Sequence, residues 1–187
     1  MADTDNSSPP ETAVDFRRIS LRPFDVADID DYMAWAPSEG VSRFCSWEPN
    51  FSREEGMKRL KSMIFYHPWI RSICLDGKSI GEISVKGFSG GGDRHRAEMG
   101  YVIGSDYWGR GIATLAVGLV AEAIFWEWPH LERLEAVVDV ENVASQRVLE
   151  KVGFVREGVL RKFYYFKGKS RDMVMYSLLS DHHVSQD

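Results

Sequence analysis

"SDYWGRGIAT", residues 105–114, is the stretch on which the reading of this chain turns. It sets two glycines and an arginine directly before a long apolar segment. From Ile112 onward, Leu115, Ala116, Leu119, Val120, Ala123 and Ile124 recur at i, i+3, i+4, i+7 and i+8, the pattern of a helix with one face against a sheet. The first turn of that helix follows Gly109-Arg110-Gly111 at once, so its unpaired amides and positive dipole end emerge where the backbone is least covered. Such a place suits an anion: the amides of Ile112, Ala113 and Thr114 point outward, Arg110 adds a cation and Thr114 a hydroxyl. A plain strand-to-helix turn would also use two glycines, so the local pattern leaves both readings open.

The flanking segments give the helix its setting. "AEMGYVIG" (97–104) before it and "RLEAVVDVEN" (133–142) after it read as strands, parallel neighbours joined by a crossover. Upstream, "RRISLRPF" (17–24) is a strand and "DVADIDDYMAWA" (25–36) a helix with Ile29, Met33 and Ala36 on one face beside Tyr32. "FSREEGMKRLKSMIFY" (51–66) is a helix capped by Ser52, and "SICLDGKSIGEISVKGF" (72–88) a hairpin about Asp76-Gly77. "GGGDRH" (90–95) reads as a flexible loop, "ASQRVLEKVGF" (144–154) as a short helix ended by Gly153, and the segment 158–179 as two strands around "KGKS". The expected organisation is one α/β domain with a mixed sheet over residues 17–180, an acidic disordered arm over 1–16 and a flexible tail over 181–187.

Composition narrows the function classes. A chain of 187 residues can bury a core without staples, and Cys45 and Cys74 match no metal spacing and imply no disulfide. A net charge of −5 argues against nucleic acid as the main ligand and favours a cationic one. The acidic start resembles neither a secretory signal nor a transit peptide, and no run approaches the roughly 18 apolar residues of a membrane span; a cytoplasmic, membrane-free protein is expected. Both Gly-Lys-Ser tripeptides fail as Walker loops, with Ser72 and Phe163 where a glycine is required. A dinucleotide fingerprint lacks its third glycine, with Thr114 in that place, but Asp139 and Glu141 end the next strand where an acidic ribose partner belongs, so a nucleotide site is weakened rather than excluded. No histidine pair has metal-binding spacing, so no metal is implied.

A second constellation, "VDVENVASQRVLEKVGF" (138–154), runs from a strand end through Asn142 and Ser145 into a helix. W-G-x-G-x-A before a crossover helix, paired with N-x-x-S-x-x-x-L-x-x-x-G-F after the next strand, resembles the GNAT superfamily of acetyl-CoA-dependent N-acetyltransferases. The nearest branch is that of the ribosomal-protein N-terminal acetyltransferases. The resemblance spans about residues 17 to 180. It implies a largely antiparallel sheet of about seven strands, helices on both faces and a splayed parallel pair at the cofactor site. It also implies that the backbone of Gly109, Arg110, Gly111, Ile112, Ala113 and Thr114 holds the pyrophosphate of coenzyme A. Trp108 departs from the polar residue usual at the head of that motif. By the same analogy the main chain of Val102 and Ile103 pairs with the pantetheine arm, and Asn142 hydrogen-bonds it.

Acetyl transfer to an amine needs the ammonium proton removed and the leaving thiolate stabilised. Ser145, near the sulfur by resemblance, is expected to donate a hydrogen bond to the thiolate. Glu98, which shares a strand face with Gly100 and Val102, is the first candidate base; Asp139 is the second and Glu82 the third. The aromatic segments 42–51 and 162–168 are expected to border the acceptor, a peptide N-terminus or a small amine. Direct attack in a ternary complex follows, since neither cysteine has a partner base. Family members occur as monomers or homodimers. A catalytically weak acyl-CoA sensor is the alternative, because the cofactor motif is clearer than any base.

Overall fold

A computed structural model describes residues 14–180. The chain enters through strand β1 (Ile19–Arg22), preceded by a 3-10 turn at Phe16–Arg18 that Asp15 caps. Val14 packs on the core and Phe16 stands against Gly111. The tail 181–187 and residues 1–13 lie outside the described residues.

Three helices follow: α1 (Ile29–Trp35), the single turn α2 (Glu39–Ser42) and α3 (Arg53–Tyr66). α3 starts where its sequence says it should. Ser52 accepts the Glu55 N–H and the Glu55 carboxylate accepts the Ser52 N–H, a reciprocal cap that satisfies two otherwise orphaned donors. Strands β2 (Ile70–Leu75) and β3 (Lys78–Gly87) form the hairpin, whose turn residues Asp76 and Gly77 both have positive φ, as a tight primed turn demands. The glycine cluster beyond β3 is a 3-10 turn at Gly91–His95 that delivers the chain to β4 (Arg96–Ile103).

The crossover helix α4 (Ile112–Glu127) leads to β5 (Arg133–Asp139), then α5 (Val143–Val152), β6 (Val155–Phe166) and β7 (Lys169–Leu179). The seven strands are ordered β1-β2-β3-β4-β5-β7-β6, and every neighbouring pair is antiparallel except β4 with β5. The mixed sheet and its one parallel pair are as the sequence implied.

Two cores cover the two faces. On one, α4 and α5 pack over Ile83, Val85, Met99, Leu134 and Tyr176; on the other, α1 and α3 pack Tyr32, Trp35 and Leu60 towards Ile70 and Val102. α4 buries Ile112, Ala116, Val117, Val120, Ala121 and Ile124, whereas Leu119 is exposed. Its buried face is therefore rotated from the expected one, because a helix apolar on nearly every side has no single periodic stripe to read. Each fully buried Ile or Val here is worth roughly 1.5–3 kcal/mol against exposure, which fixes α4 on the sheet and with it the position of its first turn.

Candidate active site

β4 and β5 are paired only at Arg96–Arg133, Ala97–Leu134 and Glu98–Glu135. Beyond Glu98 they part, although β4 stays on β3 as far as Ile103 and β5 stays on β7 as far as Asp139. A wedge thus opens through the middle of the sheet towards the strands' carboxyl ends. Short connections place the first turns of α4 and α5 at that open end.

The wedge is lined by backbone that the ladder leaves unused. Gly104 N–H donates to Ile80 C=O and Phe88 N–H to Arg96 C=O, which sets the alternation along β4: Glu98, Gly100 and Val102 turn their peptide groups to β3, and Met99, Tyr101 and Ile103 turn theirs to the wedge. The expected pair Val102 and Ile103 thus splits: Ile103, like Tyr101, presents its peptide groups to the wedge, and Val102 presents its own to β3. Strand period two contained this signal, but only the register reveals which parity faces which neighbour. The Ile103 carbonyl already accepts the Trp108 indole N–H at 2.7 Å, so Trp108 ties the glycine loop to the strand end.

At the mouth, Gly109 and Gly111 have φ of 74° and 77°, a conformation that L side chains rarely adopt. Gly111 is the N-cap of α4 and no side chain caps the helix, so the first-turn amides of Ile112, Ala113 and Thr114 have no competing partner. Arg110 lies over the Tyr107 ring at 5.7 Å and enters no ion pair among the described residues. An uncapped helix start, two left-handed glycines and a free guanidinium are the donor set that a pyrophosphate requires; the unpaired strand edge beside them fits an amide-bearing arm. The site fits coenzyme A.

Asn142 caps α5, its side-chain oxygen accepting the Ser145 N–H at 3.2 Å, which leaves its amide NH2 without a partner among the described residues. The Ser145 hydroxyl is 2.7 Å from the Tyr101 hydroxyl, which also donates to the Ser145 carbonyl at 3.1 Å. Burial pushes Tyr101 up to about 12, a rise that the Ser145 hydrogen bond partly offsets. Tyr101 is the residue of this group that sequence reasoning missed.

The three carboxylates have different settings. Glu98 sits at the vertex of the wedge, opposite Glu135 on β5 and Lys86 on β3. Burial and then the Glu135 charge push its carboxyl up, while Lys86 and a hydrogen bond from Tyr164 pull it down. Asp139 is buried and engaged: one oxygen accepts the Glu141 N–H at 2.8 Å and the other meets Arg171 at 3.2 Å. Glu82 faces Val102 across the β3–β4 ladder; burial lifts it to about 7 against the pull of Arg59, and its Oε2 is sealed without a hydrogen-bond partner.

The two aromatic segments meet on this face. Lys167, at the tip of the β6–β7 hairpin, donates to the Ser42 carbonyl at 2.8 Å, and Trp47 donates its indole N–H to the Ala36 carbonyl at 3.0 Å. Arg59 of α3 lies 4.7 Å over Trp47 and 5.7 Å from Phe51. Cys45 donates to the Val41 carbonyl, and burial pushes its thiol up to about 12, which leaves no thiolate for a nucleophile at neutral pH. Asp172 accepts the Lys162 N–H at 2.7 Å and pins the irregular part of the last hairpin. No group of three or more His, Cys, Asp or Glu among the described residues is arranged to hold a metal, and no helix among them is long and apolar enough to cross a membrane.

Comparison with known proteins agrees with this geometry. Residues 18–155 match the family model described as an acetyltransferase (GNAT) domain. The chain is 31% identical over 168 residues to the uncharacterized N-acetyltransferase YoaA of Bacillus subtilis (strain 168), covering 87% of this chain and 93% of that protein. It is 40% identical over 84 residues to the uncharacterized N-acetyltransferase p20 of Bacillus licheniformis, there spanning 45% of this chain and 47% of the relative. The fold matches the crystal structure of a GNAT-family acetyltransferase from Bacillus anthracis with a TM-score of 0.78 at 23% identity, over 88% of this chain and 96% of that one. The family match spans most of the chain, including both motif-bearing helix starts' strands and α4. The chain belongs to the GNAT acetyltransferase family and is an N-acetyltransferase.

Proposed function

We propose that this enzyme moves an acetyl group from acetyl-CoA to a primary amine, a peptide N-terminus or a small amine, by direct attack in a ternary complex. The observation that carries the reading is the junction of the wedge between β4 and β5 with the uncapped, glycine-led start of α4. Acetyl-CoA supplies an acetyl group already activated as a thioester. The chain's part is to hold it and manage two protons. The amides of Gly109 to Thr114 and the Arg110 guanidinium hold the pyrophosphate; the free edge of Tyr101 and Ile103, with the Asn142 amide NH2, holds the arm.

Glu98 takes the ammonium proton, directly or through water, since a carboxyl raised towards neutrality is a better match to that task than an ordinary one. Ser145, positioned by Tyr101, donates a hydrogen bond to the leaving sulfur. Asp139 acts through structure, holding the turn from β5 into α5 that presents Asn142 and Ser145. The test is a thiol-release assay with acetyl-CoA over amines and short peptides that differ at their N-termini. Acceptor-dependent release supports the reading; coenzyme A binding with no release for any amine class favours a sensor instead.

A further inference from the structure

Glu82 and Arg59 each carry an atom cut off from water without a partner, Oε2 and Nε respectively. Sealed orphans on charged groups are costly, and here the two belong to groups of opposite sign close enough for the Arg59 charge to pull on the Glu82 carboxyl. They form no ion pair or hydrogen bond with one another. Both are held in place. Glu82 is fixed opposite Val102 by the β3–β4 ladder, and Arg59 is fixed over the rings of Trp47 and Phe51 with the Tyr32 hydroxyl beside it.

Two fixed groups of opposite sign, each with one buried atom that lacks a hydrogen-bond partner, complement a ligand with an ammonium and a carboxylate a few ångströms apart. The smallest such ligand with a free primary amine is an α-amino acid. Resting on the transferase reading above, we infer that the acceptor is a free α-amino acid whose ammonium is held by Glu82 and whose carboxylate is held by Arg59. The neighbouring floor has room for the amine. Gly100 and Ser84 face each other one step along the ladder, between Glu82 and Glu98, so the strand face beside Glu82 is bare where the amine must meet the acetyl group. A peptide N-terminus offers Arg59 no carboxylate at that distance, and a polyamine would set a cation against it.

The test compares L-amino acids with their C-terminal amides as acceptors, by thiol release from acetyl-CoA. The amide's amine is the less basic of each pair, so its free-base fraction is larger at neutral pH, and a preference for the acid must come from the site. The expected result is a kcat/KM about tenfold or more higher for the preferred free amino acid than for its amide. Arg59→Met erases that preference, the loss falling on KM for the free amino acid, and Arg59→Lys restores part of it. Calorimetry of the amino acid into the protein saturated with coenzyme A loses its signal in Arg59→Met and in Glu82→Gln. An amide that equals or exceeds its acid throughout, or a preference that survives in Arg59→Met, overturns the inference. Thiol release with other amines but no amino acid overturns it while leaving the transferase reading intact, whereas failure to bind acetyl-CoA removes both.

Discussion

The Tyr101 hydroxyl lies 2.7 Å from the Ser145 hydroxyl, joining the strand that edges the wedge to the first turn of α5. With Tyr101 raised to about 12 and a thiol titrating near 8.5, full proton transfer from tyrosine to a thiolate is uphill by about 5 kcal/mol. In the proposed reaction the pair would therefore act as a hydrogen-bond donor. Ser145→Ala and Tyr101→Phe are each expected to lower kcat by about fivefold, the worth of one neutral hydrogen bond, with little change in coenzyme A affinity. Their effects should not add in the double variant, because both remove the same contact. A loss near a thousandfold in Ser145→Ala alone would mark true acid catalysis.

Asp139 offers a contrast between structure and chemistry. Its side chain is buried and its partner Arg171 is largely shielded, and removing the buried partner of such a pair costs about 3 kcal/mol. Asp139→Asn is expected to lower the stability measured by urea unfolding by about that amount, with kcat at low temperature within about threefold of wild type. A stable but inactive Asp139→Asn protein would return Asp139 to the list of bases.

Glu82 makes folding depend on pH. Its carboxyl moves from an ordinary 4.5 to about 7 in the fold, so the folded state holds the proton more tightly than the unfolded chain does. Its contribution is most favourable below about pH 4.5 and is lost as pH rises through 7, a change of about 3 kcal/mol at one pKa unit per 1.36 kcal/mol. Glu82→Gln should therefore be more stable than wild type at pH 8 by about 1–3 kcal/mol, and the difference should vanish near pH 5. Parallel unfolding curves at the two pH values decide it; equal stability at pH 8 would mean that Glu82 is solvated.

Arg110 should act as a phosphate counter-charge. Arg110→Gln is expected to weaken acetyl-CoA binding by about tenfold at low salt and less at high salt, since an exposed charge is screened over roughly 10 Å at 0.1 M. Titrations at two ionic strengths test this; a salt-independent loss would point to a role in loop structure.

Features set by neighbours in the chain were legible in the sequence. Ser52 with Glu55, Asp76-Gly77, Asn142 and Gly153 each act within a few residues, and each does in the fold what its local chemistry requires. The glycine-led, uncapped helix start was legible for the same reason, since Gly109, Gly111 and the start of α4 are contiguous. Features set across the sheet were not. That Val102 turns its peptide to β3 depends on the register with Glu82, and the contact of Tyr101 with Ser145 joins positions separated by 44 residues. Arg59 and Glu82 come from a helix and a strand whose patterns describe only their own packing. The buried face of α4 escaped a periodic reading because Leu115 and Leu119 are as apolar as Val117 and Ala121.

The most direct measurement is isothermal titration of acetyl-CoA into the wild-type protein and into Gly111→Val. At Gly111 φ is 77° and an added Cβ would sit 3.3 Å from the Phe16 ring, so a side chain there distorts the cradle while leaving the core of α4 untouched. Saturable binding near one site per chain in the wild type, lost in a Gly111→Val protein that keeps its circular dichroism spectrum, is the predicted result. No binding to the wild type, or undiminished binding to Gly111→Val, would contradict the assignment of this helix start to the cofactor's phosphates.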